Sequence, residues 1–196
     1  IDLKTKEIKA IGRTLNIVRI GTSGSVQADI PVDSFVISEK SIGCDGVLRF
    51  YANNESVCDH PFEEAFIRHC RWTPSAARPY VVNADPGLVD RLYDEEHTIK
   101  GVTLTAVGFY GPQGRVLRLP LAMPGINDRI TAFRYEGYKV TNYEMESAAI
   151  TGLCNLLGHR AATICLIIAN RINGDASADY HSYMNKLIRY TLEKLS

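Results

Sequence analysis

The sequence predicts an α/β fold: a mixed, largely parallel central sheet flanked by helices. Three observations carry that prediction. Short β-branched runs alternate with segments of helical period. One run, residues 162–169 (ATICLIIA), is the most apolar stretch in the chain and reads as a central strand covered on both faces. Helix caps and glycine stops fall at the joints between the two kinds of segment.

The elements follow in order. Residues 15–20 (LNIVRI) read as a buried strand that stops at Gly21 and runs into a loop. Residues 34–38 (SFVIS) form a second strand and residues 80–82 (YVV) a weaker third. Asp85 caps a helix whose first turn accepts Pro86, and that helix runs to about His97. Residues 102–107 (VTLTAV) are the next strand. A helix is expected over residues 128–138 and another over residues 145–157, where Met145, Ala148, Ala149, Leu153, Leu156 and Leu157 keep helical spacing until Gly158 stops it. After the apolar strand, Tyr180, Met184, Leu187, Ile188, Thr191, Leu192 and Leu195 share one stripe of a last helix. No repeat, low-complexity stretch or linker divides the chain, so residues 1–196 read as one domain.

Composition excludes some functions. The 22 basic residues balance the 22 acidic ones, so no basic excess marks a nucleic-acid or anionic-membrane surface. Five cysteines without a CxxC pair form neither a disulfide framework nor a zinc site, and Cys154 and Cys165 sit in apolar runs as small core residues. A reducing, cytoplasmic setting fits that usage. No apolar run has the length of a membrane span, and the start at Ile1-Asp2-Leu3-Lys4 has no signal-peptide pattern.

Chemistry concentrates in three polar segments, and in folds of this class ligands sit beyond the carboxyl ends of strands. In the first, Gly21 and Gly24 can turn the backbone and expose amides to an anion, Thr22 and Ser23 add hydroxyls, and Arg19 offers a fork suited to phosphate oxygens. An ordinary strand-to-loop turn with a surface arginine has the same residues. In the second, Gln113 carries a donor and an acceptor on one planar amide, matching a pyrimidine edge; Arg115 can donate to a second carbonyl and Phe109 can pack on the ring. A polar turn is the alternative. In the third, Glu144 and Glu146 flank Met145 at a helix start. A carboxylate can hold both hydroxyls of a ribose, although acidic residues also favour a first helical turn for the sake of the dipole. Asn170-Arg171 closes the apolar strand, where an arginine can reach a ligand or make a structural ion pair.

Taken together, RIGTSGSVQADIPV (residues 19–32), FYGPQGR (109–115), NYEMES (142–147) and IIANR (167–171) resemble the uridine phosphorylase branch of the nucleoside phosphorylase family, in the right order and over nearly the whole chain. The resemblance implies phosphorolysis of uridine, or a related pyrimidine nucleoside, to uracil and ribose 1-phosphate. It implies that Arg19, Gly21 and Thr22 bind phosphate, with Thr22 also near the ribose. Glu144, Met145 and Glu146 would hold the ribose. Phe109, Gln113, Arg115, Ile168, Ala169 and Arg171 would form the base site, and Arg19, Arg115 and Arg171 would act in catalysis. No metal or cofactor is implied; inorganic phosphate is a co-substrate. The partners are small molecules, not nucleic acid or membrane, and the assembly is a homo-oligomer built from dimers. The alternatives are a nucleosidase of the same fold, against which Arg19 argues, a purine-type phosphorylase, against which Asn170-Arg171 argues, and a non-catalytic nucleoside-binding protein. The family also places strands and a Gly-Asp-Pro loop ahead of the first strand found here; Ala84-Asp85-Pro86 is not that loop, so the chain is expected to lack N-terminal strands of the family domain.

Overall fold

The first apolar run does not stop at Gly21. In the computed structural model, which describes residues 2, 4–7 and 12–196, it continues through both glycines as one strand, β1 (Asn16–Ser25). Ile1 and Leu3, part of the start discussed above, lie outside the described residues. The continuation has a tertiary cause. β1 runs parallel to the apolar strand β7 (Arg160–Asn170), from Asn16 opposite Arg160 to Ser25 opposite Asn170. A ladder of that length overrides the weak strand preference of glycine. A register slip between Ser23 and Gly24 is the one irregularity in the pairing.

Five strands close into a small barrel. β2 (Phe35–Gly43) pairs in parallel with β4 (Thr98–Thr105), and β4 pairs in parallel with β6 (Tyr138–Glu144). β6 meets β1 antiparallel at Gly24 and Ser25, β1 lies on β7, and β7 returns to β2 antiparallel. β3 (Tyr80–Asn83) and β8 (Asp175–Ala176) add antiparallel edges. The sheet is mixed, as the sequence predicts, and its two longest ladders, β1–β7 and β2–β4, are parallel.

Helices α1 (His60–Cys70), α2 (Pro86–Leu92), α3 (Ile126–Ala132), α4 (Ser147–Leu156) and α5 (Tyr180–Leu195) cover this sheet. α1 and α3 enclose Phe62, Phe66 and Phe133 against Val102, Leu104 and Val140. α2 and α5 bury Leu88, Leu92 and Leu187 against Ile37, Ile164 and Leu166. Between these apolar positions the strands carry buried polar ones: Ser38 and Thr103 share a 2.5 Å hydrogen bond, and Thr103 donates to Asn142 Oδ1 at 3.0 Å. On β4, alternation thus sends Val102 and Leu104 to the helices and Thr103 and Thr105 to the other face.

Several expected boundaries move. The helix opened by Asp85 ends at Leu92 rather than near His97, because Asp94 draws the chain into a local turn: its side chain accepts from the Glu96 amide and its carbonyl from Thr98. β2 runs on to Gly43, and β4 starts four residues before the predicted strand and ends at Thr105. The helix expected over residues 128–138 is instead α3 followed by a hairpin of β5 (Arg134–Tyr135) and β6, turned by Glu136 and Gly137, both at positive φ (49° and 81°). α4 begins at Ser147 because Glu144 still belongs to β6. α1 was not anticipated, although Asp59 caps it by accepting from the Phe62 amide.

Candidate active site

β1 pairs antiparallel with β6 at Gly24 and Ser25, and β6 ends at Glu144, so the earlier part of β1 has no β6 strand beside it. Arg19 lies in that earlier part, and its side chain reaches the end of β6 and the start of α4. A Cβ on Gly21, two residues along the same face, would overlap the guanidinium, so glycine is what lets Arg19 lie along its own strand. Arg19 Nη1 donates to Cys165 Sγ at 3.3 Å on the neighbouring strand. Its Nη2 pairs with Glu146 and stands 3.3 Å from Glu144 Oε2. Burial opposes the charge on Arg19, but Cys165, Glu144 and Glu146 outweigh it and hold the guanidinium above its ordinary pKa. Since burial pushes the Cys165 thiol up to about 12, that thiol is neutral near pH 7 and the two carboxylates do the holding.

The two carboxylates have different work. Glu144 is buried; one oxygen accepts from the Thr105 hydroxyl and the other from the amides of Glu146 and Ser147, both at 2.8 Å. Thr105 in turn accepts from the Ala148 amide at 2.9 Å. Strand residues thereby cap α4 from inside the fold, and the helix start is closed to an outside anion. Glu146, 54% exposed, keeps an oxygen for a ligand. Met145 beside it is exposed and Thr22 is half-buried.

The anion cradle expected of the segment from Gly21 to Gly24 is not present as a loop. Those residues are extended and laddered to β7, so their amides do not converge on a point. On β1, Arg19 and the buried, unpartnered hydroxyl of Ser23 lie on one face, and Thr22, opposite Leu166, alternates to the other.

The second cluster adjoins the first through β6, where Tyr143 and Glu144 are consecutive. Gln113 ends a short 3-10 turn and is buried. Its Oε1 accepts from Arg115 Nη1 at 2.8 Å and also from Arg171 Nη2. Arg115 stacks 3.9 Å above the Phe109 ring and donates to the Phe109 carbonyl. Arg171 lies 4.5 Å above the Tyr143 ring, with its Nε buried and unpartnered close to Gly24. Among the described residues neither arginine has a carboxylate partner. Burial, then the charge of Arg115, lowers the Arg171 pKa to about 10, and burial lowers that of Arg115 as well. Two cations with a shared neutral acceptor and spare N–H groups are poised for an incoming acceptor that gains charge.

Asn170 explains why Arg171 points where it does. Its Nδ2 donates to the carbonyls of Gln27 and Ile30, and its Oδ1 accepts from the amides of Ile172 and Asn173. All four of its bonds go to backbone, so Asn170 is structural and the next side chain faces the site. Ile168 and Ala169 flank it, half-buried, with Ala169 opposite Gly24. A cavity of about 750 Å³ opens on the far side of Arg115, walled by Trp72, Val107, Tyr110, Leu117 and Met123; the Arg19 cluster is not part of it. Among the described residues no group of three or more His, Cys, Asp or Glu side chains could hold a metal ion, and no helix is long and apolar enough to cross a membrane.

The fold and these clusters define an α/β protein that gathers an arginine–carboxylate cluster and a two-arginine amide site around the end of β6. A sequence profile described as Phosphorylase superfamily matches residues 5–191, and the chain belongs to that family. It is 26% identical to a uridine phosphorylase of Thermococcus kodakarensis over 87% of this chain and 53% of the relative. It is 36% identical to uridine phosphorylase A of Schistosoma mansoni over 81% of this chain and 49% of the relative. A crystal structure of a Trypanosoma brucei nucleoside phosphorylase, described as showing uridine phosphorylase activity, superposes with a TM-score of 0.79 at 24% identity, covering 92% of this chain and 63% of that one; the likeness is one of fold. The chain spans about half the length of the curated relatives it matches.

Proposed function

We propose that this chain carries the nucleoside site of a uridine phosphorylase, which converts uridine or a related pyrimidine nucleoside and phosphate to uracil and ribose 1-phosphate. The observation that carries the proposal is the convergence of Arg115 and Arg171 on the Gln113 amide without a carboxylate partner among the described residues. Uracil leaving from a sugar takes up negative charge on its carbonyl oxygens. Fixed cations at those oxygens stabilise the departing base as its charge develops, without a general acid. In this reading a uracil N–H takes Gln113 Oε1 from Arg115 and frees that guanidinium for a base carbonyl.

The rest of the site follows the same logic. Arg19 holds phosphate, an already charged nucleophile that needs no activating base. Glu146 accepts from the ribose hydroxyls, Met145 lies against the sugar, and Glu144 holds the helix start that carries both. Phe109 packs on the base, with Ile168 and Ala169 as the pocket wall. Much of the remaining rate comes from alignment of the two reactants. A purine phosphorylase has an aspartate after the last central strand to protonate the leaving base. Asn170 here spends its whole amide on backbone, which favours the pyrimidine reading. The reaction uses no metal or organic cofactor, and the enzyme is a cytoplasmic homo-oligomer built from dimers, with no nucleic-acid or membrane partner.

Incubating the full chain with uridine and phosphate tests the proposal: free uracil and ribose 1-phosphate are expected, and neither without phosphate. Uracil released without phosphate would identify a nucleosidase. Uridine bound with no product under either condition would identify a nucleoside-binding protein.

A further inference from the structure

Asn127 lies outside every motif read from the sequence, yet it joins two parts of the base site. It is the second residue of α3, half-buried. Its Nδ2 donates to the carbonyls of Gln113 at 3.2 Å and Gly114 at 3.3 Å, and its Oδ1 accepts from the Tyr143 hydroxyl at 3.2 Å. The approach is close: Gly114 has a φ of +69°, and a Cβ there would come within 2.5 Å of Asn127 Nδ2. The ring of Tyr143, fixed through its hydroxyl, is the surface on which Arg171 rests, and Arg171 Nη1 donates to the same Gln113 carbonyl at 3.3 Å.

We propose that Asn127 is a positioning residue for pyrimidine recognition, one amide that locks the Gln113–Arg115 turn and the Tyr143 platform under Arg171 into a single arrangement. This rests on the assignment of Gln113, Arg115 and Arg171 to the base. The side-chain chemistry suits the task. Asparagine alone among side chains of its size donates two N–H bonds and accepts at a second point. The turn it holds is short: its own backbone is braced by the bonds from Gln113 and Arg115 to the Tyr110 carbonyl and from Gly114 to the Gly111 carbonyl, and the Arg115 and Arg171 guanidiniums add bonds to the Phe109 and Gln113 carbonyls. No contact joins Asn127 to Arg19, Glu144 or Glu146, so its influence falls on the base and not on the anion.

Asn127→Asp keeps the shape, but it replaces the donor with an acceptor that faces two carbonyls. In the full chain the KM for uridine is expected to rise about tenfold, the size of one lost hydrogen bond, while the KM for phosphate stays put. Hydrogen exchange at the Gly114 and Arg115 amides is expected to quicken about tenfold, because the turn opens more easily. Tyr143→Phe, which removes only the hydroxyl, should move the uridine KM the same way by less. An unchanged uridine KM in Asn127→Asp, or both KM values rising together with a lowered melting temperature, would overturn the positioning role. A parent chain that does not turn uridine over would refute the functional assignment; the exchange rates then decide the clamp alone, and unchanged rates refute it.

Discussion

Alanine at Gln113 or at Arg115 is expected to lower uridine turnover about 100- to 1000-fold, the usual consequence of losing a donor or its anchor where charge develops in a transition state. The two substitutions act differently. Arg115→Ala removes one of two guanidiniums and leaves Gln113 held by Arg171. Gln113→Ala keeps both cations but removes the oxygen that gathers them, so mutual repulsion should spread them apart. Neither side chain belongs to the apolar clusters that bind the helices to the sheet, so folding should survive both changes. Steady-state kcat/KM beside a thermal melt provides the check. Turnover near that of the parent in both variants would move the base site elsewhere.

Arg19→Gln is expected to raise the KM for phosphate about 100-fold, since hydrogen bonds from a charged donor to an anion are among the stronger ones. The surroundings add to the loss. With the guanidinium gone, Glu144 and Glu146 face the anion uncompensated, and both repel it. Uracil binding, measured without phosphate, should change far less, because Arg19 has no contact with Gln113, Arg115 or Arg171. A phosphate dependence unaltered by the substitution would place the anion away from β1.

What could be read in the chain follows a physical divide. The run 162–169, the cap at Asp85 and the last helix announce themselves locally, through apolar period or hydrogen-bond chemistry, and the structure has all three. The face that α5 buries is shifted from the expected stripe: Tyr180, Ile188 and Leu192 are exposed, and Tyr183 and Tyr190 join Met184, Leu187, Thr191 and Leu195 against the sheet. The segment from Gly21 to Gly24 reads as a loop because glycine signals are local, whereas the β7 ladder that straightens it comes from residues about 140 positions away. The β5–β6 hairpin replaces the last part of the helix expected over residues 128–138, where positive φ at Glu136 and Gly137 turns the chain back. Within the site, residues with ligand chemistry of their own could be nominated from the sequence: Arg19, Gln113, Arg115, Glu146, Arg171. Thr105, Asn127, Tyr143, Cys165 and the inward-turned Asn170 could not, since each acts by holding another residue. Asn170 directly after a buried strand was the nearest thing to a signal, as asparagine there commonly folds back on its own backbone.

The ion pair between Arg19 and Glu146 spans what the proposal treats as two subsites. Without ligands each residue satisfies the other. Phosphate must draw Arg19 away, and a ribose must draw Glu146 away, so whichever arrives first separates the pair and the second meets a partner already released. Thermodynamic linkage then requires reciprocity: an anion should tighten uridine by the same factor by which uridine tightens the anion. Titrating uridine with and without sulfate, and sulfate with and without uridine, measures that factor in both directions, since sulfate cannot carry the reaction forward as phosphate does. A value of one would mean that the pair does not bridge the two ligands.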